Sequence, residues 1–366
     1  MNIPFVGLKQ QHKKIKQEIL DAVGKIIDDS YYILGEDVKE FENNFSNYCG
    51  VKYTVGVNSG TDALFLAMKS LGISKGDEVI TVPNSFLATA SSIVATNATP
   101  VFVDVRQDMN MNPDLIKGAI TNKTKAIIPV HLTGRSADMK PILEIAESHD
   151  LYVIEDAAQA VGAEYHGQKV GSFGHVNCFS MHPLKLLNAC GDGGAITTNN
   201  EEIYNKIIQL RNIGLKNRDE SDLWGYNSRL DTIQAAILNI KMKYLDEWIG
   251  KRRNNAKYYN EKLKDYVRVP SEKPYEKCVY QTYTIQAKKR DNLKEYLASE
   301  GIDTKIHYPI PIHMQKAAKK LGYKNGSMPM TEKLANSILA LPSHQDLPKD
   351  NRVYVVEKIK EFYEKN

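Results

Sequence analysis

No run of about 18 apolar residues, the length a helix needs to cross a bilayer, occurs in this 366-residue chain. No membrane role is expected from it. The start, Met-Asn-Ile-Pro-Phe, lacks a charged segment followed by an apolar stretch, so no secretion signal is read there. Cysteine is sparse. Cys49, Cys178, Cys190 and Cys278 lie far apart with no C-x-x-C pair. That spacing argues against a disulfide framework and against a zinc site, and no metal is expected. A reducing, cytoplasmic home follows. Excess charge is also scarce: the formal net charge is only +4. Basic groups such as Lys288-Lys289-Arg290 are short and mixed with apolar residues, which reads as solvated helix faces rather than a nucleic-acid surface. There is no Walker motif, and no G-x-G-x-x-G follows a strand pattern, so neither an ATP site nor a Rossmann dehydrogenase is supported.

What is present is a rhythm of short β-rich runs: Tyr53–Val57, Glu78–Val82, Pro100–Val105, Lys125–Val130, Leu151–Glu155, Val176–Met181 and Gly194–Thr198. Most are continuous apolar runs of the kind buried on both faces. Helical patterns lie between several of them, as at Thr61–Leu71 and Asp138–His149. The expected fold class is α/β, with a central seven-stranded, mostly parallel sheet flanked by helices. After residue 230 the pattern changes. Leu230–Trp248 carries Ile233, Ile237, Ile240, Tyr244 and Trp248 at helical spacing, predicting one long amphipathic helix. A strand (Val279–Gln286) and helices (Asn292–Glu300, Asp350–Tyr363) follow. This divides the chain into a large domain, 1–250, and a smaller C-terminal α+β domain, 251–366.

Ligands of such sheets bind beyond the carboxyl ends of the strands, so the residues just after each run carry the interest. Asn58-Ser59-Gly60-Thr61-Asp62 opens a helix. It reads equally as a phosphate cradle and as an ordinary N-cap. Phe86 follows the second run, as a core aromatic or as a ring lying on a flat ligand. Glu155-Asp156-Ala157-Ala158-Gln159 ends the fifth run. Its carboxylates read as solvated strand-end groups or, for Asp156, as the partner of a cationic ring nitrogen, with Gln159 reaching a ring hydroxyl. Lys185 lies among Pro183, Leu184, Leu186 and Leu187, before the glycine-rich Gly191-Asp192-Gly193-Gly194. A surface lysine with its stem on apolar neighbours is one reading. The other is an amine made nucleophilic by desolvation and able to attack a carbonyl. The conjunction and order of these features point to pyridoxal phosphate, a ring that needs a phosphate site, a carboxylate and an amine.

On these motifs the chain resembles the DegT/StrS family of sugar-nucleotide aminotransferases, within the fold-type-I pyridoxal-phosphate enzymes. The resemblance runs from Ile3-Pro4-Phe5 and Tyr32-Ile33-Leu34-Gly35 through the stretches above. It continues to Gly225-Tyr226-Asn227-Ser228-Arg229-Leu230-Asp231 and His307-Tyr308-Pro309. It implies that Lys185 carries pyridoxal 5'-phosphate as a Schiff base. Asp156 then faces the pyridine nitrogen and Gln159 the ring hydroxyl. Gly60, Thr61 and Ser180 hold the phosphate, and Phe86 stacks on the ring. Asn227 reaches the phosphate from a neighbouring subunit, which implies a homodimer with shared sites. His182, His307 and Tyr308 lie around the sugar, and Arg229 is a structural neighbour. The implied substrates are L-glutamate and a nucleotide-linked keto sugar, with amination at C3 of the hexose favoured over C4, for amino-sugar and surface-polysaccharide biosynthesis. One departure is Leu186, where members often have Asn. Some relatives replace the lysine with His and dehydrate sugars, so Lys185 favours transamination. A dehydratase or lyase on the same fold, and a non-catalytic cofactor-binding regulatory protein, stand as alternatives.

Overall fold

The structure is a computed structural model describing residues 2–365. All seven β-rich runs enter one sheet: β1 (Tyr53–Val57), β2 (Glu78–Thr81), β3 (Thr99–Phe102), β4 (Thr124–Ile127), β5 (Tyr152–Asp156), β6 (Val176–Ser180) and β7 (Gly194–Thr198). Their order is β1-β7-β6-β5-β4-β2-β3. β7 pairs antiparallel with both β1 and β6, while the remaining pairs are parallel. The fold is therefore the expected α/β architecture.

Both sheet faces are buried, which explains the unbroken apolar runs. Cys178 and Ile196 pack on one side with Leu64, Ala67 and Met68 of helix α3 (Gly60–Ser70). Their neighbours Phe179 and Ala195 point to the other side, as the period of two requires. There they meet helices α1 (Leu8–Asp29) and α2 (Glu36–Cys49) through Ile15, Phe41 and Phe45. The sequence reading identified neither α1 nor α2. Both begin after a glycine with no side-chain cap, so the usual start signal is missing. Helix α4 (Leu87–Ala95) follows β2, and α5 (Met139–Ser148) matches the expected Asp138–His149 pattern.

The predicted single helix over Leu230–Trp248 is corrected by the structure. It is two helices, α6 (Thr232–Met242) and α7 (Leu245–Leu263). Tight turn bonds, from Lys243 N–H to the Ile240 carbonyl and from Tyr244 N–H to the Lys241 carbonyl, close α6. Lys241 is fully buried, with Nζ donating to the Asn188 carbonyl (2.8 Å) and to Asn188 Oδ1 (2.6 Å). Tyr244 donates to Glu18 Oε1 at 2.6 Å and still stacks on Trp248. The apolar stripe continues across the break, so its periodicity does not reveal the turn.

Helix α7 joins two cores. Leu245, Trp248 and Ile249 belong to the core under the sheet, whereas Ala256, Tyr259 and Leu263 belong to the second. That second core contains an antiparallel pair, β8 (Tyr283–Gln286) and β9 (Ile338–Leu341), with helices α8 (Arg290–Ser299) and α9 (Lys349–Lys365). Ile3 packs there as well, so the N-terminal segment crosses between the cores. No helix among the described residues is long and apolar enough to cross a membrane.

Glu155 and Asp156, adjacent at the end of β5, point to opposite faces. Glu155 is fully buried and accepts from the N–H groups of Gly171 (2.8 Å), Phe173 (2.7 Å) and Gly174 (2.8 Å). His131 Nδ1 accepts from Ala137 N–H, so its Nε2 donates to Glu155 at 2.9 Å. Glu155 is thus a structural knot that fixes the loop leading into β6. Glu155→Ala leaves these donors unsatisfied and is expected to cost about 3–5 kcal/mol, measured as the shift in urea-unfolding free energy.

Candidate active site

The carboxyl ends of the parallel strands open onto a cavity of about 300 Å³. It is lined by Ser59, Gly60 and Thr61 after β1, Ser85 and Phe86 after β2, Val130 after β4, Asp156 of β5 and Ser180 of β6. Gln159, His182, Lys185, His307 and Tyr308 also line it. Ten of the eleven site residues expected from the sequence therefore meet in one place. The eleventh, Asn227, is exposed and bridges to Asn212, away from this cavity.

The β1–α3 turn is shaped for an anion. Ser59 caps α3 by accepting from Asp62 N–H at 3.1 Å, and the first intrahelical bond runs from Ala63 N–H to the Ser59 carbonyl. The Gly60 and Thr61 N–H groups precede that bond and point out of the helix start, where its dipole favours negative charge. Glycine at 60 has a packing cause. A Cβ there would lie 2.6 Å from Ser180 Cβ. Gly194 is needed for a similar reason, since its Cβ would lie 2.4 Å from the Ser59 carbonyl oxygen. These glycines bring the α3 N-terminus down onto the ends of β6 and β7.

Asp156 is 5% exposed. Its Oδ2 accepts from Thr89 Oγ1 (2.7 Å), which in turn contacts Ser85 Oγ (2.7 Å), and its Oδ1 accepts from Ala158 N–H (3.2 Å). Burial raises its pKa, against the opposing effects of those donors and of Lys185. A buried carboxylate held from behind and short of positive charge in front is suited to a cationic partner. Lys185 supplies the complementary feature. Burial lowers its pKa, partly countered by Asp156, and its Nζ makes no hydrogen bond among the described residues. Its backbone is clamped on both sides: Gln281 Nε2 donates to the Leu184 carbonyl, and Leu186 N–H donates to Gln281 Oε1, both at 2.8 Å. The departure at Leu186 is harmless here, because that side chain is buried away from the cavity, in the core under the sheet.

Gln159 accepts from Thr133 N–H at 2.9 Å and donates to Tyr308 at 3.2 Å. Burial, with Asp156 nearby, raises the Tyr308 pKa. Phe86 sits at the rim, half exposed, its ring 5.8 Å from that of Tyr308. His307 Nδ1 is buried without a partner, and burial together with Lys185 lowers the His307 pKa to about 4. His182 is exposed, with Nδ1 accepting from Leu184 N–H at 3.2 Å. Arg229 donates to Asn212 Oδ1 at 3.0 Å, a structural role. The residues present thus offer an anion cradle, a buried carboxylate and an unpaired amine around one space, the set that pyridoxal phosphate requires.

Sequence reasoning missed the wall opposite the sheet. Phe5 and Val6 from the N-terminus and Arg252, Gln281, Thr282, Leu341, Ser343 and His344 from the second core complete the cavity. It also missed Thr89 and Ser85 behind Asp156. The only sequence signal for the wall was the Ile3-Pro4-Phe5 match, to which no role was attached.

The family model described as the DegT/DnrJ/EryC1/StrS aminotransferase family matches residues 13–360. This chain belongs to that family. A relative from Geobacillus stearothermophilus named pleiotropic regulatory protein is 44% identical, with 99% of each chain covered. UDP-N-acetyl-3-dehydro-alpha-D-glucosamine 3-aminotransferase of Acidithiobacillus ferrooxidans is 43% identical, with 94% of each chain covered. Among solved structures, S. venezuelae DesV in complex with a ketimine intermediate superposes with a TM-score of 0.96 at 38% identity, over 99% of each chain. The family's fold is thus present over essentially the whole molecule.

Proposed function

We propose that this chain is a pyridoxal-phosphate-dependent aminotransferase. It takes the amino group of L-glutamate and delivers it to a keto group of a nucleoside-diphosphate keto-deoxyhexose, at C3 rather than C4, for amino-sugar and surface-polysaccharide biosynthesis. The observation that carries the reading is Lys185, a partly buried amine without a hydrogen-bond partner among the described residues, lining the same cavity as the buried Asp156. Membership of an aminotransferase family and a 43%-identical relative named for amination at C3 support it.

Pyridoxal phosphate, when bound, supplies a conjugated ring that takes up the electron pair left at the donor carbon. The chain supplies position and charge. Asp156, held in place by Thr89 and Ala158, would face the ring nitrogen and keep it protonated. Gln159 meets the ring hydroxyl. Gly60, Thr61 and Ser180 take the phosphate, and Phe86 covers the ring. Lys185 would hold the cofactor through its amine and would move the proton at the reacting carbon. His182, His307 and Tyr308 surround the sugar. Asn227, outside its own cavity, reaches the phosphate of a second copy in a homodimer with shared sites. The large domain, 1–250, carries the cofactor, and the smaller one, 251–366, closes over it in a cytoplasmic protein.

Gly60→Ala tests the phosphate cradle. The added methyl overlaps Ser180 and is expected to cost about 1–3 kcal/mol. The dissociation constant for pyridoxal phosphate then rises about 10- to 100-fold, read by equilibrium dialysis of the cofactor-free protein.

The reading itself is tested by adding L-glutamate to the purified holoprotein. One equivalent of 2-oxoglutarate per site, with conversion of the pyridoxal to the pyridoxamine form, is expected. A dehydratase is told apart in the sugar half-reaction, where the hexose loses water and gains no nitrogen. The name of the Geobacillus relative favours a second reading, a cofactor-binding regulator. Such a protein binds pyridoxal phosphate but shows no exchange of forms with glutamate.

A further inference from the structure

The wall opposite the sheet contains a cation that no cofactor role requires. Arg252 of α7 is 7% exposed, and no carboxylate forms an ion pair with it among the described residues. Its Nε donates to Gln345 Oε1 (3.1 Å), and its Nη1 to the carbonyls of Tyr280 (3.2 Å) and Gln281 (3.0 Å). Its Nη2 makes no hydrogen bond among those residues. Asp346, which acts on Arg252 electrostatically, is itself paired with Lys14 at 2.5 Å. Burial holds the guanidinium pKa down to about 10, with the Asp346 carboxylate, whose Oδ2 is buried without a partner, opposing it only in part. His344 stands beside it, 3% exposed, with neither ring nitrogen partnered. Burial and the charge of Arg252 lower its pKa to about 4, so it is neutral at pH 7. Both side chains line the cavity that contains Lys185.

An unbalanced buried guanidinium is costly, and a carboxylate entering beside it removes that cost through charge-assisted hydrogen bonds. We propose that Arg252 and His344 form a carboxylate subsite for the amino donor. This rests on the aminotransferase reading and deepens it. Two connections favour the donor over the diphosphate of the sugar nucleotide. Arg252 holds the backbone of Gln281, and Gln281 clamps the backbone on either side of Lys185. The cation is thus tied to the segment bearing the reacting amine. A small amino acid carries its carboxylate within a few bonds of its own amine, whereas the diphosphate is separated from the reacting carbon by the hexose ring.

The test uses holoprotein carrying Arg252→Gln, with His344→Asn as a second variant should the first fold poorly. Pyridoxamine formation is followed with L-glutamate, with 4-aminobutyrate (no α-carboxylate) and with L-2-aminobutyrate (no distal carboxylate). Binding of glutarate is followed separately by calorimetry. The wild-type preference for L-glutamate over the analogue lacking the paired carboxylate is expected to fall about 10- to 100-fold, the worth of one charge-assisted hydrogen bond. The dissociation constant of glutarate is expected to rise by a similar factor. Reaction of the pyridoxamine form with the keto sugar is expected to fall less than reaction with L-glutamate, because Arg252 also steadies the Lys185 segment through Gln281. Equal losses with all three donors would show a purely structural role and overturn the proposal, as would a loss confined to the sugar half-reaction. If wild-type protein does not react with glutamate at all, the aminotransferase reading fails instead.

Discussion

Lys185→Ala is expected to lower turnover of L-glutamate by at least about 10³-fold, given that a positioned acid–base group alone contributes about 10²–10⁴-fold. Two features of the site underlie the size of the effect. Burial keeps this amine readier to lose its proton than a surface lysine, and among the described residues no other lysine lines the cavity. The variant should unfold near the wild-type temperature, because Nζ makes no hydrogen bond among the described residues for the mutation to remove. A small exogenous amine such as methylamine should restore part of the rate, since it can enter the space the side chain leaves and carry the proton. Initial rates of 2-oxoglutarate release check the loss. Full turnover by the variant would sink the assignment of Lys185.

Asp156→Asn is expected to produce opposite changes in catalysis and in stability. Catalysis should fall about 10²–10³-fold, the scale for losing one preorganised electrostatic partner. The cofactor-free protein should instead become more stable. Burial raises the Asp156 pKa, with Thr89, Ala158 and Lys185 only partly opposing it. The folded chain therefore binds that proton more tightly than the unfolded chain does. The stabilisation this gives is fully present below the unfolded value, about pH 4, and is lost as pH rises through the raised folded value. Asparagine removes the titration. The gain in melting temperature over wild type should thus be larger at pH 7.5 than at pH 4.5. An equal gain at both pH values would show that Asp156 is not destabilised by its ionised form.

The sheet and its site were legible in the sequence for the same reason. Strands buried on both faces must be continuous apolar runs, and ligands gather where such strands end, so Gly60, Phe86 and Asp156 could be located by position along the chain, whereas Ser180, inside its run, came only from the family resemblance. Lys185 stood out because a lysine among Pro183, Leu184 and Leu186 conflicts with its usual preference for water. Other features left no local trace. The turn at Lys243-Tyr244 is hidden because Trp248 continues the stripe set by Ile237 and Ile240. Helix α1 is hidden because Gly7 gives no capping signal. Arg252, Gln281 and His344 read as ordinary polar residues of helix and loop. Only the docking of the second core against the strand ends, far apart in sequence, brings them to Lys185. Asn227 differs again, since its expected role needs a second copy of the chain.

Transfer of nitrogen from donor to sugar is the most direct test of the proposed aminotransferase. Holoprotein is supplied with ¹⁵N-labelled L-glutamate and a nucleoside-diphosphate 3-keto-deoxyhexose, and the sugar product is analysed by mass spectrometry and NMR. ¹⁵N is expected on C3 of the hexose, with one 2-oxoglutarate released per amino sugar. A sugar that loses water without gaining nitrogen, or a holoprotein left unchanged by glutamate, would contradict it.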